Sequence, residues 1–381
     1  MAVTARPWTA LLLAGAPLLL LALQARYMRS GLPPDDWLPA TAESAHALHS
    51  LERMQRTGIV ESIRIVLELP AGTTPQSDAG WRTVSNLTTY LKNDPRAAQV
   101  LSLPTLTGMS ESGISIDFMN EEMRKSFLSS DSRATLIEVL PAPGVTPTQE
   151  MQWVRELRGA DLTSITGLSG AALRIGGIPA LNADYDHVVK DRMPKVIGWV
   201  VGGSLIALLA GFRSVFVAVK AIMLNLLSVG ASFGALVLVF QEGYGSKFLG
   251  AGSGLGYVFP IIPILSFAIV FGLSMDYEVF LVARVLEERR EGAPERNAVV
   301  QGLASTARLI TSAGAIMIAV FAAFTMGNFI IIKMLGFTLS VAVFLDATIV
   351  RMVIGPALLQ LAGDWNWWPF GLAGSKRLLE P

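Results

Sequence analysis

Six apolar blocks constrain this chain more than anything else in it: Pro7–Ala25, Val196–Phe212, Ala221–Gln241, Phe248–Met275, Leu309–Ile332 and Met334–Ala362. A helix of about 20 apolar residues crosses the roughly 30 Å hydrocarbon layer of a bilayer. Backbone inside that layer must satisfy its own hydrogen bonds, which favours helices. The order is one block, a long polar stretch, then five blocks, and only 16% of the residues are charged, low for a water-soluble protein. The reading is six membrane spans. A cleaved leader competes for the first block, but its apolar run is long and no small-x-small site follows it.

Lys and Arg near the span ends set the expected orientation. Arg6 precedes the first span, and Arg213 and Lys220 bracket the link after the second. Arg284, Arg289, Arg290, Arg296 and Arg308 flank the fourth-to-fifth link, and Lys376 and Arg377 lie in the tail. Alternating spans put all of them on the cytoplasmic side. The expected domains are residues 1–26 (N-terminus and first span), 27–192 (extracytoplasmic), 193–363 (five-helix block) and 364–381 (cytoplasmic tail).

Residues 27–192 read as a folded α/β domain. "TAESAHALHSLERMQRTG" has helical periodicity, and "SIRIVLEL" alternates as a strand does. A helix in "GWRTVSNLTTYLKND" and a strand in "QVLSLPT" follow. The pattern recurs as strand "ATLIEVLP", helix "PTQEMQWVRELRG" and strand "AALRIGGIP". Two such units in series predict a split βαβ, ferredoxin-like layer of helices on a sheet. From Ala180 the chain reads as a helix leading into the second span.

Composition removes several chemistries. No Cys means no disulfide, iron–sulfur cluster or thiolate zinc site. His46, His49 and His187 are too scattered for a metal centre, and zero net charge gives no bulk attraction to nucleic acid. There is no G-x-x-x-x-G-K-[ST] loop; "GAGSGLGY" enters a span instead of following a strand and reads as a flexible loop. No cofactor is expected.

The informative residues are charges inside spans. In "IPILSFAIVFGLSMDYEVFLVARVLEERREG", Asp276 lies about 12 Å inside the membrane if Arg284 marks the interface. If the span starts near Tyr257, Asp276 sits at its end. A charge at a helix centre costs about 2.5–3.5 kcal/mol on insertion scales, so one kept there has a task. Glu278 lies about 200° around the helix from Asp276, so the two acids do not share a site. Gly272, one turn earlier, would let another helix approach closely. On the sixth span Asp346 and Arg351 are five apart, about 140° on an α-helix, which argues against a direct bond between them. Arg351 either finds a partner on another helix or snorkels. Thr311 and Ser312 on the fifth span either reach a carboxyl on the fourth or bond back to their own helix. A buried titratable group is what a proton gradient can drive.

"GLSMDYEVFLVARVLEERREG" resembles the fourth-helix signature of the resistance–nodulation–division (RND) superfamily, specifically the MMPL family of lipid and hydrophobic-compound exporters. "FLDATIVRMVIGPALLQLAGDWNWWP" is similar to the end of the last membrane helix in the C-terminal half of those proteins. The resemblance covers the whole one-plus-five pattern. It implies a proton-driven exporter of lipidic or amphipathic compounds in a bacterial cytoplasmic membrane, with no enzymatic activity. Asp276 and Tyr277 would relay the proton, Phe280 would line the central pocket, and Ser312, Asp346 and Arg351 are possible relay partners. Family members usually carry two such repeats, whereas this chain has one, closest to the second. The implied partners are membrane lipids, protons and a second repeat, from a homodimer or a separately encoded N-terminal half. Two other readings compete: a non-transporting sensor of the same fold, and an intramembrane aspartyl protease using Asp276 and Asp346. Against the protease, the order is Asp-Tyr and Phe344 stands two residues before Asp346.

Overall fold

A computed structural model describes residues 6–31, 42–54, 57–107, 121–250 and 254–369. Lys376, Arg377 and part of the Gly250–Tyr257 loop fall outside these residues. The chain divides into two compact units, Pro34–Val188 and a second made of Met1–Pro33 with Val189–Pro381. The elements, in chain order, are helices α1 (Pro7–Gln24) and α2 (Glu43–Arg53), strand β1 (Ile63–Glu68), α3 (Asp78–Lys92), β2 (Ala97–Leu101), β3 (Ala134–Pro141), α4 (Pro147–Gly159) and β4 (Ala172–Gly176). Then come α5 (Ile178–Phe212), α6 (Val215–Leu236), α7 (Ile261–Arg290), α8 (Glu295–Thr325), α9 (Ile330–Phe344) and α10 (Gly355–Ala362).

In the Pro34–Val188 unit the four strands pair antiparallel in the order β2-β3-β1-β4. The second strand is shorter than the sequence suggests. It stops at Leu101, and Leu103–Thr107 is helical. Alternation along β1 and β3 turns Ile63, Ile65, Leu67, Ile137 and Val139 to one face, where Val84, Leu87 and Leu91 of α3 and Met151, Val154 and Leu157 of α4 cover them. The other face is not a bare apolar surface: Arg64 pairs with Glu138 and Arg174 with Glu68 across the strands. Helix α4 begins on a capping box. The Thr146 hydroxyl accepts from Gln149 N–H while the Gln149 side chain reaches back to the Thr146 N–H, and Pro147 supplies a preset φ.

Among the described residues six helices are long and apolar enough to cross a membrane: Pro7–Tyr27, Ile178–Phe212, Val215–Gln241, Ile261–Arg290, Glu295–Thr325 and Ile330–Trp367. The fourth span runs Ile261–Arg290 instead of Phe248–Met275. Pro260 precedes its first helical residue, and Tyr257–Pro260 lies outside the helix. The break between the fifth and sixth spans falls at Met326–Phe329, where Gly327 and Asn328 interrupt the helix, so Ile330–Ile332 belong to the sixth. Helices approach closely where a side chain is missing. A Cβ on Gly234 of α6 would run into the Leu21 carbonyl of α1, and one on Gly336 of α9 would meet the Phe321 carbonyl and Phe324 of α8. The link between α5 and α6 is Arg213, at φ 52°, and Ser214, whose hydroxyl caps α6 by accepting from Val217 N–H at 3.1 Å.

Candidate functional site

Helix α7 is apolar nearly all round, so its sequence does not announce which side meets its neighbours. Packing resolves this. Phe267, Val270, Phe271, Leu281, Val282 and Val285 enter the core, and Ser274 and Glu278 lie on that same buried side. The opposite side is an open stripe: Ile261, Leu265, Ile269, Gly272, Asp276 and Phe280, spaced by three or four residues and all exposed. Asp276 stands fifteen residues into this 30-residue helix, at its midpoint. It makes no hydrogen bond or ion pair among the described residues. No atom lies within 4 Å of where a Cβ on Gly272 would be. Phe280, expected in a central pocket, is 51% exposed on the same stripe.

The buried side holds a charged centre that sequence reasoning assembled only in part. Lys220 of α6, counted above among the cytoplasmic flanking charges, is instead in the core, and its Nζ lies 2.9 Å from Glu278 Oε1. Arg351 Nη1 is 3.8 Å from Glu278 Oε2 and its Nε donates to Asp346 Oδ2 at 2.9 Å. Arg351 Nη2 donates to the Ser274 carbonyl and, at 3.1 Å, to the Ser274 hydroxyl. That hydroxyl donates in turn to Asn225 Oδ1 at 2.6 Å. Arg351 is 1% exposed, so it does not snorkel. Two cations face two anions, which leaves the centre formally neutral. Each ion's burial costs several kcal/mol, and the pairing of each cation with an anion is what makes such a centre tolerable.

The Asp346–Arg351 bond contradicts the expected 140° separation because the helix there is not α. Leu345–Ile354 is a π-helix, whose hydrogen bonds close five residues apart, so residues i and i+5 stack on one face. Pro356 has no N–H to return to the carbonyl four residues earlier, and Gly355 N–H bonds Val350 O, five back. The Gly355–Pro356 pair inside an apolar run was the available signal. The signal for Lys220 was weaker: a lysine six residues into a helix with apolar residues on both sides.

The remaining candidates separate. Tyr277 is half-buried beneath Arg351, whose Cζ lies 5.3 Å from the ring centroid, and its hydroxyl meets Met317 Sδ of α8 at 3.7 Å, not Asp276. Thr311 and Ser312 bond back to Ala307 O and Leu309 O of their own helix. Asp276 and Asp346 do not form a dyad: one is on the open stripe and the other is bound to Arg351. Among the described residues no three metal-ligating side chains come together.

The sequence matches the MMPL family over residues 36–380. The chain belongs to that family. It is therefore a multi-pass membrane protein of the RND superfamily. The mycolic acid-containing lipids exporter MmpL11 of Mycolicibacterium smegmatis is 31% identical over 372 residues, 96% of this chain and 36% of that protein. The trehalose monomycolate exporter MmpL3 of Mycobacterium tuberculosis is 33% identical over 252 residues, 66% of this chain and 26% of that protein. The heme uptake protein MmpL11 of Mycobacterium tuberculosis is 40% identical over 212 residues, 54% of this chain and 21% of that protein. The chain spans about a third or less of the length of these MMPL relatives.

Proposed function

We propose that this chain is one repeat of a proton-driven exporter of lipids or other amphipathic compounds, seated in a bacterial cytoplasmic membrane. One observation carries the reading: Asp276, at the midpoint of a membrane helix, is unbonded on an open stripe whose other side is locked onto a neutral charged centre. An acid held this way is free to exchange a proton, and its chain neighbour Tyr277 lies beneath Arg351 of the centre. A second repeat is the natural cover for the stripe, because Gly272 leaves room for a helix and an acid facing lipid is costly. The substrate class rests on the relatives' names, whose lipids and heme are all amphipathic or hydrophobic.

Residues 34–188 make up the outside domain in this reading, and the β2-β3-β1-β4 order with α3 and α4 on one face supports a ferredoxin-like porter layer. Exposed Trp8, Trp365 and Trp368 near helix ends suit a membrane–water interface. The test is reconstitution into vesicles, with the chain alone and with a second repeat supplied. Proton-gradient-dependent movement of a fluorescent lipid that Asp276→Asn abolishes is expected. Transport unaffected by Asp276→Asn, or no transport with any lipid and any partner, defeats the reading.

A further inference from the structure

Beyond the charged centre, towards the end of the bundle where α6 stops and α7 starts, the core holds hydroxyls that the transport reading does not use. Ser228 of α6, Ser266 of α7 and Thr338 of α9 are all fully buried. A hydroxyl in a buried helix can donate back to a carbonyl of its own helix. Thr338 does so, to Met334 O at 2.7 Å, and Ser232 of α6 does so to Val229 O at 2.7 Å. The Ser228 and Ser266 hydroxyls do not, and neither meets another hydrogen-bond partner among the described residues. Buried Asn225 is left half-satisfied in the same way: its Oδ1 accepts from Ser274, while its Nδ2 has no partner.

Register brings these groups together. The Lys220–Glu278 and Asn225–Ser274 contacts pair α6 with α7 in antiparallel register. Carried one turn outward, that register sets Ser228 level with Phe271, between Ser274 and Ser266. Arg351 joins Ser274 to Asp346, and Ser266 and Thr338 stand eight residues before Ser274 and Asp346 respectively. Both therefore lie about 12 Å outward of the centre, at one level. Helices α6, α7 and α9 pack on one another in pairs. Ser228 falls between two contacts of α6. On one flank Leu224 and Ala231 pack with Leu345 and Val350, and on the other Val229 packs in the core that holds Phe267 and Phe271.

Polar groups left unpaired in an apolar core are costly, and native structures satisfy nearly all of them. Buried water does this where about two to four polar partners converge. We propose that Asn225, Ser228, Ser266 and Thr338 line a track that holds a short file of water inside the α6–α7–α9 junction. Along it Asn225 donates, Ser228 and Ser266 donate and accept, and Thr338, its proton given to Met334 O, accepts. Its use rests on the proton-driven reading: the file gives the charged centre a proton donor and acceptor on the side of α7 away from Asp276.

Cysteine substitution reads hydration directly in this cysteine-free chain, because methanethiosulfonates attack the thiolate and apolar surroundings suppress ionisation. In detergent micelles, Ser228→Cys and Ser266→Cys should react at least about tenfold faster than Val229→Cys and Val270→Cys, since each unit of raised pKa costs tenfold in thiolate. Both valines are buried in the apolar core. Thr338→Val keeps the shape, removes the acceptor and should slow both serine-site cysteines. Thr306→Val, at a buried threonine of α8 that bonds Gly302 O, should not. Where a variant fails to insert, the unsubstituted chain still answers: the Asn225 side-chain amide protons should show NMR cross-relaxation with water. Neither readout needs transport, so the track and the exporter reading stand or fall separately. Serine-site cysteines no faster than the valine-site ones, a Thr338→Val effect no larger than that of Thr306→Val, or an Asn225 amide without water contact overturns the proposal.

Discussion

Lys220 Nζ and Glu278 Oε1 are 2.9 Å apart, joining the second turn of α6 to the middle of α7 where neither side chain reaches solvent. Removing one partner of a buried ion pair strands the other, at about 3–5 kcal/mol. Lys220→Met should therefore lower stability by about that much, read as a fall in the detergent unfolding midpoint. Lys220→Met combined with Glu278→Leu keeps Asp346 paired with Arg351 and should recover most of the loss. A double variant as unstable as the single one would mean that the pair is not acting as a unit.

Asp276 and Glu278 are two residues apart and should behave oppositely on substitution. Asp276→Asn changes an exposed, unbonded side chain, so membrane insertion and abundance should stay within the small range of surface changes, about ±0.5 kcal/mol. Glu278→Gln leaves Lys220 unneutralised and should reduce abundance. Quantitative immunoblotting of membrane fractions separates the two.

At Gly234 the first span touches α6. Ala22 and Gly230 flank the same contact, and a Cβ on Gly230 would lie 3.3 Å from Ala22 Cβ, close to disulfide geometry. In this cysteine-free chain, Ala22→Cys with Gly230→Cys should oxidise readily. Adding Gly234→Val pushes against the Leu21 carbonyl, costs about 1–3 kcal/mol by overpacking, and should suppress that cross-link.

Single cysteines also test the orientation. Gln76 is exposed just before α3, and Glu291 is exposed just after α7. An impermeant thiol reagent on intact cells, with access through any outer membrane controlled, should label Gln76→Cys and spare Glu291→Cys. The reverse pattern would invert the topology.

The six spans and the strands were legible because hydrophobic length and period-2 alternation are local properties, and Ile63–Glu68 and Ala134–Pro141 show them plainly. Asp276 was legible for the same reason: a charge interrupts an apolar run. The charged centre on the opposite side of α7 was not. Whether Asp276 or Glu278 faces the core depends on the rotation of α7, and a helix apolar on all sides carries no phase. Lys220 looked like a flanking charge because its partner is 58 positions later in the chain. The Asp346–Arg351 bond was excluded by assuming 3.6 residues per turn in a stretch where that number does not hold.

That stretch bears on how sequences of this kind should be aligned. A π-helical segment is an α-helix holding surplus residues. Removing one between Asp346 and Arg351 would bring them four apart, which on an α-helix is again a shared face. Most single deletions in a membrane helix swing everything downstream by about 100°; here the slack absorbs the loss. A relative one residue shorter in this span has its gap between these two residues, not in a loop, and its acid and guanidinium still meet.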